Sequence, residues 1–409
     1  MSNKQTVAII GAGASGCFCA VNLCKMSNNY DVTIFEAHSK PLAKVAITGG
    51  GRCNITNSFA QVNNFAEVYP RGEKLLKKLF YTFNQNDTLN WFESEGVEFV
   101  TQDDNCVFPK SQNAMQIVDT LLDNINKYHI NLLLDHKLIN IEKIDNKFLL
   151  SFNNNAKKEF DIVLVATGGA NPEFLNIFEN LGLNIVPTVP SLFTFTIKNQ
   201  TFNDLMGVVI EDVSCSIAST KFKSNGPLLI THWGVSGPAI LKLSSYSAKY
   251  LKENKYTSNL IINWLNINED ETRKIIQDLQ HKNPKRQVLS IHPPKITSRL
   301  WQYFLLKCEI DNSKRWDEIS KKSINKLVST LVSDTYKIQG RGHYKEEFVT
   351  CGGISLSNIN SNTLESKKIE NLYFAGEVLD IDAITGGFNL QAAWTTGFVV
   401  AKSIVSKFS

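Results

Sequence analysis

Residues 7–16 read Val-Ala-Ile-Ile-Gly11-Ala12-Gly13-Ala14-Ser15-Gly16. The apolar run from about Gln5 to Ile10 suits a strand buried on both faces. The glycines follow at once, then a helix to about Ser27, then a second strand from Asp31 to Phe35 that ends at Glu36. Strand, glycines, helix, strand and acid, in that order, make the dinucleotide-binding pattern. Gly11 permits the turn, Gly13 lets backbone approach a pyrophosphate, and Gly16 lets the helix pack close to the strand. Ala14 and Ser15 open the helix, whose free N–H groups and positive dipole end face the phosphates. Glu36, with Ala37 beside it, stands where a carboxylate accepts hydrogen bonds from a ribose diol. A glycine-rich turn that merely packs would leave Glu36 unexplained.

Residues 7–24 carry no charge, a run long enough to suggest a membrane span or signal peptide. Its three spaced glycines and the lack of a basic leader favour the strand, turn and buried helix. The chain has 409 residues, 43% hydrophobic, 20% charged and 10% aromatic. That composition excludes disordered, collagen-like and disulfide-stapled classes and fits two to four domains. A net charge of +4 is too mild to indicate nucleic acid by itself. The eight Cys form no CxxC pair and read as reduced, mostly buried thiols of a cytoplasmic protein. No ligand spacing suggests a metal.

Further along, helical patterns occupy 72–96 and 111–128, with Ser111 as N-cap. Residues 131–152 read as a β-meander, with a turn signal at Asn153-Asn154-Asn155. Asp161 to Val165 is another buried strand, running into Ala166-Thr167-Gly168-Gly169 beneath the nucleotide. Past Pro187 and Pro190 the pattern becomes antiparallel β to residue 263, then helical over 268–335. Residues 266–348 hold 16 Lys and Arg against 11 Asp and Glu, a solvated helical face or a patch for an anionic partner. Near Thr350 the chain re-enters the first domain through a strand at 371–375, Gly376-Glu377, Gly386-Gly387 and a helix from about Asn389 to Ser406. The expected boundaries are a nucleotide domain over 1–188 and 350–409, an inserted β domain over 189–265 with a return over 336–349, and a helical insert over 266–335.

Three clusters carry chemistry. Lys44 to Asn57 includes Thr48-Gly49-Gly50-Gly51-Arg52-Cys53-Asn54, where consecutive glycines free the backbone to run against a flat or anionic ligand. Lys44 and Arg52 add positive charge, and Asn54 and Thr56 can hydrogen-bond in either direction. Cys53 suits packing against a ring better than redox chemistry. In the closing cluster, a helix after Gly386-Gly387 whose N-terminus meets a flavin's N1/C2=O edge would stabilise the anionic reduced ring. Glu377 would lie near the ribityl hydroxyls. In the third cluster, Thr231-His232-Trp233-Gly234-Val235-Ser236-Gly237-Pro238, His232 is a candidate acid or base and Ser236 a candidate substrate ligand. Against that, the stretch reads as a constrained turn with Ser236 as N-cap.

Together VAIIGAGASG (7–16), KVAITGGGRCNITN (44–57), CVFPKSQNA (106–114), GPLLITHWGVSGPAIL (226–241) and NLYFAGEVLDIDAITGGFNLQAAWTTG (371–397) resemble the BaiN/YhiN-like flavoproteins, aminoacetone-oxidase-like FAD-binding oxidoreductases. Asp382-Ala383 departs from the glycine-containing turn usual there. The resemblance implies an α/β fold: a glutathione-reductase-like FAD-binding Rossmann domain, an inserted antiparallel, barrel-like β domain and a small helical domain. It implies FAD contacts from Gly11, Gly13, Ala14, Ser15, Gly16, Glu36, Ala37 and Lys44, and from the Thr48–Asn54 loop. Ala166, Thr167, Gly168, Gly376, Glu377, Gly387, Phe388, Asn389 and Leu390 complete the set.

The expected protein is an FAD-dependent oxidoreductase that exchanges hydride between flavin N5 and a small organic substrate. FAD occupies the one glycine fingerprint, so NAD(P)H would dock only transiently at the flavin face. Neither nucleic acid nor membrane is an expected partner. The alternatives are a flavoprotein that binds or modifies RNA, which the basic stretch motivates, and a non-catalytic flavin-binding protein.

Overall fold

The computed structural model describes residues 4–342 and 349–408. Its chain divides into two units, one reaching Val189 and resuming at Val349, the other beginning at Pro190. In the first, Gln5–Ile10 is the middle strand of a five-stranded parallel sheet. Ile162–Val165 and then Leu372–Phe374 lie on one side, Tyr30–Phe35 and then Asn131–Leu133 on the other. Val7, Ala8 and Ile9 are fully buried, as the unbroken apolar run demands of a strand covered on both faces.

The two ends of the chain close this unit. The opening helix Ala14–Met26 meets the C-terminal helix Phe388–Phe408 so closely that a Cβ on Gly397 would lie 2.6 Å from the Ser15 carbonyl oxygen. Phe18 fills the space between them, 5.3 Å from the Trp394 ring and 4.8 Å from Trp91. The uncharged stretch 7–24 is therefore core. Among the described residues no helix is long and apolar enough to cross a membrane.

Several local expectations need correction. The 72–96 pattern is two helices, Glu73–Leu79 and Gln85–Ser94, because Asn84 caps the second, its side chain accepting from Asn86 N and Asp87 N and its own N donating back to the Asp87 carboxylate. Asn113, rather than Ser111, caps Ala114–Lys127 by accepting from Met115 N. Asn131–Leu133 joins the parallel sheet beside Tyr30–Phe35. The antiparallel part is Leu138–Ile144, Lys147–Phe152 and Lys157–Phe160.

The second unit holds a six-stranded antiparallel sheet, in the order Phe195–Thr196, Gly234–Ser236, Lys223–Thr231, Val209–Ile217, Thr257–Asn263 and Asp334–Gln339. Its edges approach closure: Thr196 N donates to Gly340 O at 3.0 Å and Gly342 N to Thr194 O at 3.0 Å. The span expected to be β also contains the helices Pro238–Tyr246 and Ala248–Glu253. Glu269–Lys282, Ser298–Lys307 and Lys321–Val332 bury Ile276, Trp301, Phe304 and Leu327 in the same core as the sheet's Trp264 and Ile262. Sheet and helices thus share one core. Part of the expected return over 336–349 (residues 343–348) lies outside the described residues.

Candidate functional site

The three fingerprint glycines are required for different reasons. Gly11 has φ +109°, and a Cβ there would sit 2.5 Å from the Ala166 carbonyl oxygen. A Cβ on Gly16 would sit 2.0 Å from the Gly11 carbonyl oxygen. These two are glycines because protein backbone fills the space. Gly13 has an ordinary φ of −88°, and a Cβ there would meet nothing within 4 Å. No atom of the chain demands its lack of a side chain. It caps the helix without a side-chain bond, leaving the first N–H groups to an external acceptor.

Two hydroxyls beside this turn are buried without a hydrogen-bond partner, Ser15 Oγ and Thr167 Oγ1. Buried hydroxyls are rarely left so. Thr167 backs on Gly11, and Ser15 faces Gly376. Glu36 braces the turn: its Oε2 accepts from Ala12 N at 2.9 Å and its Oε1 from His38 N at 3.0 Å. Each carboxylate oxygen keeps further acceptor capacity for a diol. Open space at Gly13, orphaned hydroxyls and a spare carboxylate fit the pyrophosphate and ribose of a dinucleotide.

The triple-glycine stretch is not loop throughout. Ala43–Gly51 starts helical and breaks at Thr48 (ψ 142°), whose hydroxyl donates to Lys44 O at 2.8 Å. Gly49, Gly50, Gly51 and Cys53 then take φ of 62°, 70°, 81° and 60°. A Cβ on Gly49 would press Asn54 N at 2.9 Å, while Gly50 and Gly51 face open space. Arg52 braces the loop, with its guanidinium 4.3 Å from the Phe108 ring centroid and its Nε donating to Gly49 O at 3.2 Å. Cys53 is fully buried, and desolvation pushes its thiol up to about 12. It stays protonated near neutral pH.

The closing segment docks on the far end of that loop. A Cβ on Gly387 (φ 87°) would lie 2.3 Å from Thr56 O. Asn54, with its amide oriented to satisfy both neighbours, donates to Thr56 O at 2.9 Å and accepts from Gly387 N at 3.2 Å. Thr56 Oγ1 donates to Gln391 Oε1 at 2.6 Å, Asn57 Nδ2 to Gly386 O at 3.1 Å and Trp394 Nε1 to Ile55 O at 3.0 Å. Asn389 closes on its own approach, accepting from Ala383 N at 2.9 Å and donating to Ala383 O at 3.0 Å. The side chains of Asn54 and Asn389 are thus taken up by the chain itself. Phe388 is buried edge-on to Phe59, and Leu390 is half-buried.

Glu377 joins three segments. Its Oε1 accepts from Thr350 N at 2.7 Å, its Oε2 lies 3.4 Å from Lys44 Nζ, and Gly168 lies beside both side chains. Gly376 N donates to Thr396 Oγ1 at 2.9 Å. The structure therefore brings the opening turn, Glu36, Lys44, Thr167, Gly168, the glycine loop and the closing glycines together in one unit. His232 and Ser236 belong to the other. His232 is exposed and edge-on to Trp233 at 4.2 Å. Ser236 is in strand, paired with Leu229. It is not the N-cap: Gly237 (φ 95°) takes that position, ahead of Pro238.

The sequence reading missed Arg71. Its Nε and Nη2 grip both oxygens of fully buried Asp382 across 311 residues. Nothing near either residue announces the pair. Among the described residues no group of His, Cys, Asp or Glu is arranged to hold a metal.

Residues 5–403 match the family model described as the HI0933-like protein Rossmann domain. The chain is 30% identical over 415 residues to a ribosomal RNA dihydrouridine synthase of Escherichia coli (strain K12), covering 97% of each. It is 24% identical over 420 residues to a 3-dehydro-bile acid delta(4,6)-reductase of Clostridium scindens, covering 98% of this chain and 99% of that one. Among solved structures, the fold is similar to a 3-ketosteroid-delta4-(5alpha)-dehydrogenase from Rhodococcus jostii RHA1, with TM-score 0.51, 11% identity and coverage of 98% and 97%.

Proposed function

Since this chain belongs to the HI0933-like Rossmann family of FAD-binding oxidoreductases, we propose that it is an FAD-dependent reductase of a carbon–carbon double bond conjugated to a carbonyl, acting on uridine in ribosomal RNA. The observation that carries this reading is the end-to-end 30% identity with the E. coli ribosomal RNA dihydrouridine synthase. Dihydrouridine is uridine saturated across C5–C6, beside the C4 carbonyl. The bile-acid reductase's name describes the same bond chemistry on another skeleton. This reading takes up the RNA alternative in preference to the small-molecule one. The exposed Lys274, Arg286, Lys314, Lys321 and Lys322 of the basic stretch support it as contacts to phosphate.

Bound FAD would supply the hydride to one carbon of the double bond while water supplies the proton to the other, and NAD(P)H as a transient donor would return the flavin to its reduced form. The chain's own residues do the holding. Gly13 and the N-terminus of Ala14–Met26 receive the pyrophosphate, with Ser15 and Thr167 hydroxyls as donors. Glu36 takes the ribose diol, and Lys44 adds positive charge near Gly168. Gly50 and Gly51 leave room for a flat ligand, and Gly386-Gly387 aims a helix N-terminus at developing negative charge. With its proton retained, Cys53 packs rather than reacts.

The test is to incubate purified protein with ribosomal RNA lacking dihydrouridine, FAD and NADPH or NADH, and to digest for nucleoside mass spectrometry. Dihydrouridine that appears only with protein and donor is the expected result. A protein that saturates steroid enones but no ribosomal RNA uridine would move the assignment to the small-molecule reading that the bile-acid relative favours.

A further inference from the structure

The five residues Val68–Gly72 form a bed on which the closing segment 380–388 lies in fixed register. Ile384 N donates to Val68 O at 2.9 Å. The fully buried Tyr69 donates through its hydroxyl to Phe388 O at 2.9 Å. Arg71 clasps Asp382 through two parallel bonds, with side-chain exposures of 12% and 0%, and their backbones form an antiparallel bridge. Gly72, at φ 82°, lies so close to Ile381 that a Cβ would be 2.7 Å from its Cγ1. Several contacts fix the two segments against each other, so a slip of one residue breaks them together. The bed ends where Gly386-Gly387 turns the chain into its C-terminal helix.

We propose that Arg71, acting through Asp382, is a positioning residue for the cofactor: it fixes the closing segment, and with it the N-terminus of Phe388–Phe408, at the place the flavin ring requires. The inference rests on the FAD reading above. A fork rather than a point charge is needed, because only a guanidinium meets both carboxylate oxygens in one plane. A brace serving stability alone has no need to sit within one turn's length of the two glycines that aim the helix, four residues ahead of Gly386. The helix N-terminus favours negative charge on the reduced ring, so loosening it should make the flavin harder to reduce.

The experiment uses the full-length holoprotein and the variants Arg71→Lys, Asp382→Asn and Tyr69→Phe. For each, FAD dissociation is followed by equilibrium dialysis, the flavin midpoint potential by dye equilibration, and folding by thermal melting. Arg71→Lys and Asp382→Asn should release FAD about tenfold more readily and shift the midpoint potential to more negative values, with cooperative melting retained. Tyr69→Phe removes a single hydroxyl and should move both readouts the same way by a smaller factor. It carries the test alone should the ion-pair variants fail to fold. Wild-type FAD affinity and potential in the variants that fold would overturn the inference, leaving the pair a brace. A wild-type protein that takes up no FAD would instead overturn the FAD reading.

Discussion

The opening turn and the closing segment both depend on glycine, for opposite reasons. At Gly387 a side chain would strike Thr56 O at 2.3 Å, and the amides of Asn54 and Asn389 are spent on neighbouring backbone. At Gly13 a side chain would strike nothing, and the hydroxyls nearby have no partner. A glycine hemmed in by the chain reports on the fold. One that faces open space beside unsatisfied hydroxyls reports on a ligand. On the proposed reading the closing segment shapes the site and the opening turn receives the cofactor, with Arg71 and Asp382 bracing the former and Glu36 serving the latter.

If that contrast is right, substitutions in the closing segment should move stability and cofactor binding together, and those in the opening turn cofactor binding alone. The largest effect belongs to Asp382→Ala. It leaves the Arg71 guanidinium buried without its carboxylate and should cost about 3–5 kcal/mol of stability, read from urea unfolding. A loss under about 1 kcal/mol would mean the pair braces little. Next is Glu36→Ala, which should weaken FAD binding by about 1–3 kcal/mol. Full flavin occupancy after dialysis of this variant would remove Glu36 from the receptor.

A third effect is set by pH. Burial raises the thiols of Cys17, Cys19, Cys53 and Cys215 above their ordinary 9.0. The folded chain keeps these protons while the unfolded chain loses them above pH 9. Stability is therefore intact below pH 9 and falls as the pH rises beyond it. Urea midpoints at pH 8 and pH 10 check the sign. Iodoacetamide should leave Cys53 of the folded protein unmodified at pH 8, and rapid alkylation there would restore a reactive-thiol role.

The parts of this design legible in the sequence are the local ones. Residues 5–36 carry strand, turn, helix, strand and acid within one continuous span, so their order alone implies the nucleotide site. Pairings across the chain leave no such trace. Asp382 finds Arg71 from 311 residues away, and Asn131–Leu133 pairs with Tyr30–Phe35 because of where the intervening helices return it. Caps misled for a finer reason. Ser111 and Asn113 are both good caps, and only the backbone path shows that Asn113 reaches Met115 N. Ser236 lost its cap role to the neighbouring Gly237, whose positive φ makes the turn.

The most direct measurement compares Gly13→Val with the wild-type protein by visible absorbance and thermal unfolding. Its φ of −88° suits valine and the space is empty, so the variant should fold within about 1 kcal/mol of wild type. Yet it should be colourless and take up no FAD, beside a yellow wild type. A folded Gly13→Val protein that still holds flavin at full occupancy would contradict the account.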